Sequence, residues 1–238
     1  MKKVLRLSVV RFIVKTIHRA SIDLLRYAHP EWDSRRWSNQ QLERYGKLFK
    51  GSILNVSGWK DEDKEGRKYA DYFPNKENYL ISNISGARGA SGTNNEIILN
   101  LENDLDQSLQ QSFDVVFNHT TLEHVFSIEK AFKNICDLSR DIVIVIVPFM
   151  QIEHFEHGSY LDYWRFTRFS MQEMFRKNNY KLLYLSSNYN PVFPVYYFCI
   201  ATRNPEKWGD TFGSITNYSL DTENKKCNPL DENLKLMR

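Results

Sequence analysis

The chain has 238 residues, 42% hydrophobic and 14% aromatic, which excludes a disordered protein and suits one α/β domain with a substantial core. Its net charge of +3 is uneven, because residues 1–20 carry six basic side chains and no acidic one, leaving the remainder at −3. Charge confined to one end argues against a nucleic-acid-binding surface. Three widely spaced cysteines without a Cys/His cluster predict no disulfide framework and no metal site, and indicate a reducing, cytoplasmic setting.

The N-terminal segment, residues 3–28, is predicted to form one helix that is both basic and apolar. Two interpretations of this helix stay open. It packs on the domain while its basic groups reach water, or it lies on an anionic membrane surface. The second implies peripheral contact with the inner face of a membrane through residues 1–28. No apolar run approaches the roughly 18–20 residues that span a bilayer.

The next elements alternate between helix and strand patterns. A second helix is predicted over 39–49 with Ser38 as its N-cap. The apolar run at 53–58, ILNVSG, predicts a first buried strand and its turn, and the charge run at 60–68, KDEDKEGRK, is typical of a solvated loop. The pattern then predicts a strand at 79–83, a loop at 85–95, a strand at 96–101 and a short helix at 104–111.

The stretch from Ser112 to Val147 carries the strongest structural signal. A short apolar run, 113–117, ends in a polar turn, a helix-period segment follows, and an almost wholly β-branched run covers 142–147. This is a βαβ unit, and its apolar last strand indicates a parallel sheet that is buried on both faces. Ligands of such sheets bind beyond the carboxyl ends of the strands. The polar side chains predicted there are Asn118, His119, Glu123, His124 and those of the segment after Pro148.

The C-terminal third begins with an irregular segment at 148–168 that is rich in aromatic residues and histidine. Ser170 is predicted to cap a helix through Lys177, and two final strands at 181–185 and 195–202 are expected as an antiparallel pair at one sheet edge. The predicted organisation is therefore N-terminal helices at 1–50, one domain at 51–202 and a polar tail at 203–238.

Three motifs follow one another at 113–125, 147–154 and 162–175. They read FDVVFNHTTLEHV, VPFMQIEH and DYWRFTRFSMQEMF. The first two resemble the fourth-strand and fifth-strand signatures of the class I methyltransferases that use S-adenosylmethionine. The third resembles a segment of a bacterial subgroup associated with cell-surface polysaccharide and sugar modification. The resemblance implies a single Rossmann-like domain with a mostly parallel seven-stranded sheet and helices on both faces.

The resemblance also implies positions for the cofactor, and three that usually hold a carboxylate hold asparagine here. Asn55 stands at the acid that ends the first strand, Asn83 at the acid that binds the ribose, and Asn100 at the acid near the adenine. An amide accepts through one oxygen and lacks the stronger charge-assisted bond. If the alignment is offset by one or two residues, Glu102 and Asp104 lie close enough to substitute for Asn100. The implied cofactor contacts are Asn55, Ser57, Gly58, Asn83, Asn100, Leu101, Asn118 and His119.

Catalytic candidates follow the fifth strand. Methyl transfer to oxygen requires alignment and a base, and a histidine or carboxylate suits this role near neutral pH. His154 is the predicted base, with His157 and Asp162 as the other candidates. The resembling subgroup often has a histidine before the DYWRFT aspartate, where this chain has Leu161. The alternative for His154 is a surface or structural histidine.

Other residues near the motifs have simpler interpretations. Glu123 and His124 are expected to bond nearby backbone and fix their loop. The main expectation for Tyr163, Trp164, Arg165 and Phe166 is packing, with Arg165 also paired with a buried carboxylate. The alternative for Trp164 or Tyr160 is stacking on a sugar or an adenine.

Two functions therefore stay open. The first is S-adenosylmethionine-dependent methylation of a hydroxyl on a sugar or a cell-surface polysaccharide precursor, with a small-molecule or glycan acceptor. The second is a catalytically inactive pseudo-methyltransferase that acts as a binding or scaffold subunit. The three asparagines, Ser57 and Trp59 motivate the second function, since Trp59 replaces a loop glycine and is able to fill the cofactor cleft. The two functions differ in whether that cleft admits S-adenosylmethionine.

Overall fold

The computed structural model describes residues 2–29, 32–84, 95–188, 195–209 and 211–212. Its strands are β1 (Lys50–Val56), β2 (Asn75–Asn83), β3 (Glu96–Ile98), β4 (Phe113–His119), β5 (Ser139–Met150), β6 (Lys181–Ser187) and β7 (Val195–Thr202). Its α-helices are α1 (Lys2–Ala28), α2 (Ser34–Tyr45), α3 (Ile128–Leu138), α4 (Arg168–Lys177) and α5 (Pro205–Trp208). The predicted loop at 85–95, except residue 95, and most of the tail lie outside the described residues.

The seven strands form one sheet in the order β3-β2-β1-β4-β5-β7-β6. Strands β1 to β5 pair in parallel, whereas β7 runs antiparallel to both β5 and β6. The α/β class, the seven-stranded sheet and the antiparallel final pair are confirmed. The last described strand, β7, inserts between β5 and β6, so β6 forms one edge of the sheet.

Strand β5 shows how the sheet separates two apolar clusters. Successive side chains of a strand point to opposite faces. Its isoleucines at 142, 144 and 146 belong to the cluster that contains Trp37 and Leu42 of α2. Its valines at 143, 145 and 147 belong to the cluster that contains Phe132 of α3 and Phe175 of α4. Helices therefore cover both faces, and β5 is buried on each side.

Several helix starts differ from the prediction because capping groups further upstream take over. Helix α2 begins at Ser34, since the Asp33 side chain accepts hydrogen bonds from the backbone N–H groups of the next turn. Ser38, the predicted cap, lies inside that helix. Thr167 caps α4, and Ser170 is the third residue of the helix in a reciprocal capping box. The helix predicted at 104–111 is only the single 3₁₀ turn Gln107–Leu109.

Helix α1 exposes its apolar side chains. Phe12, Ile17 and Leu24 are 70%, 64% and 67% exposed, and among its described side chains only Ile22 and Leu25 are half-buried. The expectation that this helix packs on the domain is therefore wrong. Among the described residues, no helix combines the length and apolar character that a membrane crossing requires.

Contact of α1 with a membrane surface stays a prediction. Exposed apolar and basic groups on one helix bind anionic lipid by burial and by charge attraction. We expect the full chain to co-sediment with liposomes that contain anionic lipid, and a chain lacking residues 1–28 to stay in solution. Neutral liposomes are the control, and equal sedimentation of the two chains would contradict the prediction.

The first residues after β7 continue the packing of the domain. The ring of Trp208 in α5 lies 5.5 Å from that of Phe49, and the ring of Phe212 lies 5.6 Å from that of Tyr45. These contacts fall within the segment at 203–238 that the sequence pattern assigns to a polar tail.

Candidate functional site

The carboxyl ends of three strands lie side by side. Val56 of β1 pairs with Ser82 of β2 on one side and with Asn118 of β4 on the other. Asn118 is fully buried, and its amide donates to the Val56 carbonyl at 3.0 Å. Its own Oδ1 is buried and has no hydrogen-bond partner among the described residues. The candidate site therefore lies where the carboxyl ends of β1, β2, β4 and β5 meet the segments that follow them.

The segment that joins β1 to β2 contains no α-helix among these fully described residues. Its backbone takes positive φ values at Ser57, Trp59 and Asp61, of 60°, 46° and 55°. Asp61 and Asp63 are 9% and 7% exposed, so the prediction of a solvated loop at 60–68 is wrong for these two acids. Sequence reasoning missed both, because their partners come from distant elements.

Asp61 is the centre of this segment. The amide of Asn55 donates to Asp61 Oδ1 at 2.8 Å, and the hydroxyl of Tyr79 donates to the same oxygen at 2.5 Å. The backbone N–H of Ala70 donates to Oδ2 at 3.1 Å. Burial and the neighbouring Asp61 carboxylate raise the pKa of Tyr79, which stays a hydroxyl donor. The amide N–H group of Asn55 therefore holds the segment between β1 and β2 in place.

Asn83 holds the same loop from the end of β2. Its Oδ1 accepts from the Trp59 N–H at 2.8 Å, and its Nδ2 donates to the Trp59 carbonyl at 3.2 Å. The Nδ2 also donates to Glu96 Oε1 at 2.6 Å. Residue Trp59 as a whole is 42% exposed. It is therefore the backbone of Trp59, rather than its ring, that Asn83 binds.

The remaining predicted cofactor contacts are also engaged by the chain. The Ser57 N–H donates to Ser82 Oγ at 3.3 Å. A Cβ at Gly58 would lie 2.7 Å from the amide nitrogen of Asn55, so only glycine fits there without a shift. The Asn100 side chain accepts from a backbone N–H two residues on, and Leu101 is buried in the core.

His119, at the end of β4, ties that strand to α2. Arg35 donates to its Nδ1 at 2.9 Å, and its Nε2 lies 2.9 Å from Ser38 Oγ. The Ser38 hydroxyl donates to the Arg35 carbonyl, so the ring donates from Nε2 to Ser38. Burial and the Arg35 charge lower the pKa of His119 well below 6.5. Both ring nitrogens are used within the fold.

A second polar cluster follows β5. Asp162 Oδ2 accepts from the backbone N–H of His154 at 2.8 Å and lies 3.2 Å from the ring Nδ1 of the same residue. Arg165 donates to both oxygens of Asp162 at 2.6 Å, and the expected pairing of Arg165 with a buried carboxylate is confirmed. Although burial opposes ionisation, the bonds from Arg165 and His154 lower the pKa of Asp162 to about 2.

Glu123 and His124, in the turn after β4, lie against this cluster. The His124 ring centre is 4.9 Å from that of His154, and its Nδ1 lies 2.7 Å from the Leu161 carbonyl, as expected of a loop-fixing histidine. The Glu123 side chain is 1% exposed, and within the described part of the chain its Oε2 has no hydrogen-bond partner. Burial raises the pKa of Glu123 to about 8.

The other predicted catalytic and stacking residues lie around this cluster. His157 is exposed, and its ring contacts Phe155 rather than the cluster. The Tyr160 ring lies 4.4 Å from that of His124. The Trp164 indole N–H donates to the Val125 carbonyl at 2.9 Å. The fold therefore brings His154 and Asp162 together and leaves His157 outside.

No protein-family model and no curated protein matches the chain. An S-adenosylmethionine-dependent methyltransferase from Clostridium acetobutylicum ATCC 824 matches with a TM-score of 0.50 and 9% identity, over 79% of this chain and 98% of its own. A candidate methyltransferase from Bacillus halodurans C-125 matches with a TM-score of 0.50 and 8% identity, over 69% and 97%. The chain spans 46% of another match, the CMeT domain of the citrinin polyketide synthase, with a TM-score of 0.47 and 12% identity over 64% of this chain.

At these identities the likeness shows the fold alone. The chain has the Rossmann-like fold of the class I methyltransferases, and it is methyltransferase-like in that sense. S-adenosylmethionine is the cofactor that this fold implies. The described residues at the ends of β1 and β2 do not fit it in the family's mode, because the Asn55 and Asn83 amides bind the chain's own loop and the single acceptor oxygen of Asn83 already accepts from the Trp59 N–H.

Proposed function

We propose that this protein is a non-catalytic member of the class I methyltransferase fold that acts as a binding or scaffold subunit. The observation that carries the proposal is the pair of hydrogen bonds between the Asn83 amide and the Trp59 backbone. In the family's mode, a carboxylate at this position accepts both ribose hydroxyls. Here the side chain at this position is the amide of Asn83. Binding a ribose to it requires breaking its hydrogen bonds to the Trp59 backbone, which hold the β1–β2 segment in place.

Calorimetric titration with S-adenosylmethionine and S-adenosylhomocysteine tests this proposal. We expect no saturable heat up to about 1 mM of either compound, which corresponds to a binding free energy weaker than about −4 kcal/mol. Circular dichroism on the same sample shows that the protein is folded, and an unchanged melting temperature with added compound supplies a second readout. Saturable binding at micromolar concentrations would overturn the proposal.

The second candidate function is methyl transfer to a hydroxyl of a sugar or a cell-surface polysaccharide precursor. The pairing of His154 with the ionised Asp162 favours it, since a carboxylate on Nδ1 orients an imidazole so that Nε2 can take a proton. The resemblance to the DYWRFT subgroup supports the acceptor class. Micromolar cofactor binding in the titration would favour this candidate, and loss of product with His154→Ala in an acceptor screen would then assign the base.

A further inference from the structure

Three potential metal ligands converge beside the ends of β4 and β5. Glu123, His124 and His154 each present one ligand atom, and these atoms all lie within 4.8 Å of one another. Glu123 Oε1 is 3.7 Å from His124 Nε2. The two histidines are 30 positions apart in the chain, which is why no metal-binding spacing is visible in the sequence.

The buried carboxyl of Glu123 supplies an independent indication of a ligand. The side chain is 1% exposed, and among the residues that the structure describes Oε2 has no hydrogen-bond partner. A buried polar group without a partner is costly and is rare in folded proteins. A cation bound at this point would satisfy the unpartnered oxygen.

The surrounding hydrogen bonds prepare both imidazoles for coordination. His124 Nδ1 faces the Leu161 carbonyl at 2.7 Å, and a carbonyl only accepts, so Nδ1 carries the proton and Nε2 keeps its lone pair. His154 Nδ1 lies 3.3 Å from the Ile152 carbonyl and 3.2 Å from the Asp162 carboxylate, two acceptors that together direct the lone pair to Nε2. The Gln151 amide nitrogen lies farther from Nδ1, at 3.4 Å. A carboxylate or carbonyl behind each histidine is the usual outer shell of a metal site.

We propose that Glu123, His124 and His154 bind a divalent transition-metal ion of the zinc type. Two imidazoles and one carboxylate match zinc, whereas magnesium and calcium prefer oxygen ligands throughout. Ligand atoms around a tetrahedral zinc ion lie about 3.3–3.5 Å apart, so the 3.7 Å separation of Glu123 and His124 requires little movement. The His154 side chain is 34% exposed, which leaves the fourth position open towards solvent. The site does not depend on the proposed function.

Metal titration of the untagged full chain, after removal of metal with a chelator, tests this site. We expect one equivalent of Zn²⁺ to bind with a Kd in the micromolar range or below by calorimetry. Co²⁺ should give the intense visible absorption of a four-coordinate ion, and Zn²⁺ should displace it. The absence of a one-to-one binding step for Zn²⁺ in the folded chain would overturn the proposal.

Variants locate the bound ion. Glu123→Gln and His154→Gln should each weaken Zn²⁺ binding at least tenfold, and Asp162→Asn should weaken it about 10–100-fold by removing the carboxylate charge beside His154 Nδ1. His157→Gln is the matched control, because His157 is exposed in the same segment and contacts none of the three ligands. Equal weakening by the control would place the ion elsewhere and overturn the assignment. If a variant fails to fold, the Co²⁺ spectrum of the unmodified chain decides, since an octahedral spectrum contradicts the site.

Discussion

Replacing Arg165 with alanine should destabilise the folded chain by about 3–5 kcal/mol, because the substitution leaves a buried carboxylate without its cation. The Asp162 side chain is 1% exposed, and Arg165 donates to both of its oxygens. Arg165 also donates to the backbone carbonyls of Gln151 and Ile152 at 3.0 and 3.2 Å. One guanidinium therefore fixes both sides of the segment that carries His154.

Denaturant unfolding followed by circular dichroism measures this effect. Arg176→Ala is the matched control, since Arg176 pairs with Glu173 on the surface of α4 and such exposed pairs contribute little to stability. The double variant D162N/R165M should lose less stability than R165A, because it leaves no unpaired charge in the interior. If R165A loses no more stability than R176A, the ion pair between Asp162 and Arg165 contributes no more than an exposed pair, and the prediction is wrong.

Replacing Asn83 with aspartate should lower the free energy of unfolding by about 3 kcal/mol. The substitution introduces the acid that the family resemblance implies, yet the new oxygen would face the Trp59 carbonyl at 3.2 Å and Glu96 Oε1 at 2.6 Å. Two donated hydrogen bonds are lost and two carboxylates approach each other, which also raises the pKa of one of them. The carboxylate at this position is therefore incompatible with the present loop.

The double variant N83D/E96Q separates the two causes. The glutamine amide is able to donate to the new carboxylate, so part of the lost stability should return in thermal or denaturant unfolding. Glu96→Gln alone is the control, because it retains the oxygen that accepts from Asn83. If N83D is as stable as the original chain, the bonds to Trp59 are not what holds the β1–β2 segment.

The βαβ unit was predictable because its determinants are local. The apolar periodicity of α3 and the β-branched run of β5 are both buried when α3 packs on the sheet and β5 pairs in parallel with β4. The structure has this arrangement. The failure at 60–68 has the opposite cause. Asp63 looks solvated in the sequence, but it accepts hydrogen bonds from the Asn39 amide and the Tyr72 hydroxyl, which reach it from α2 and from the turn before β2.

The same division applies to the candidate site. By itself the sequence determined the α/β class, the βαβ unit and the group of polar residues that must follow β4 and β5, because strand polarity and hydrophobic pattern are encoded residue by residue. Only the tertiary structure decided which of these side chains meet. Asn83 binds Trp59 across 24 positions, and His154 joins Glu123 and His124 across about 30. Hydrogen bonding and coordination depend on distances of a few ångströms, and those distances exist only once the strands are in register.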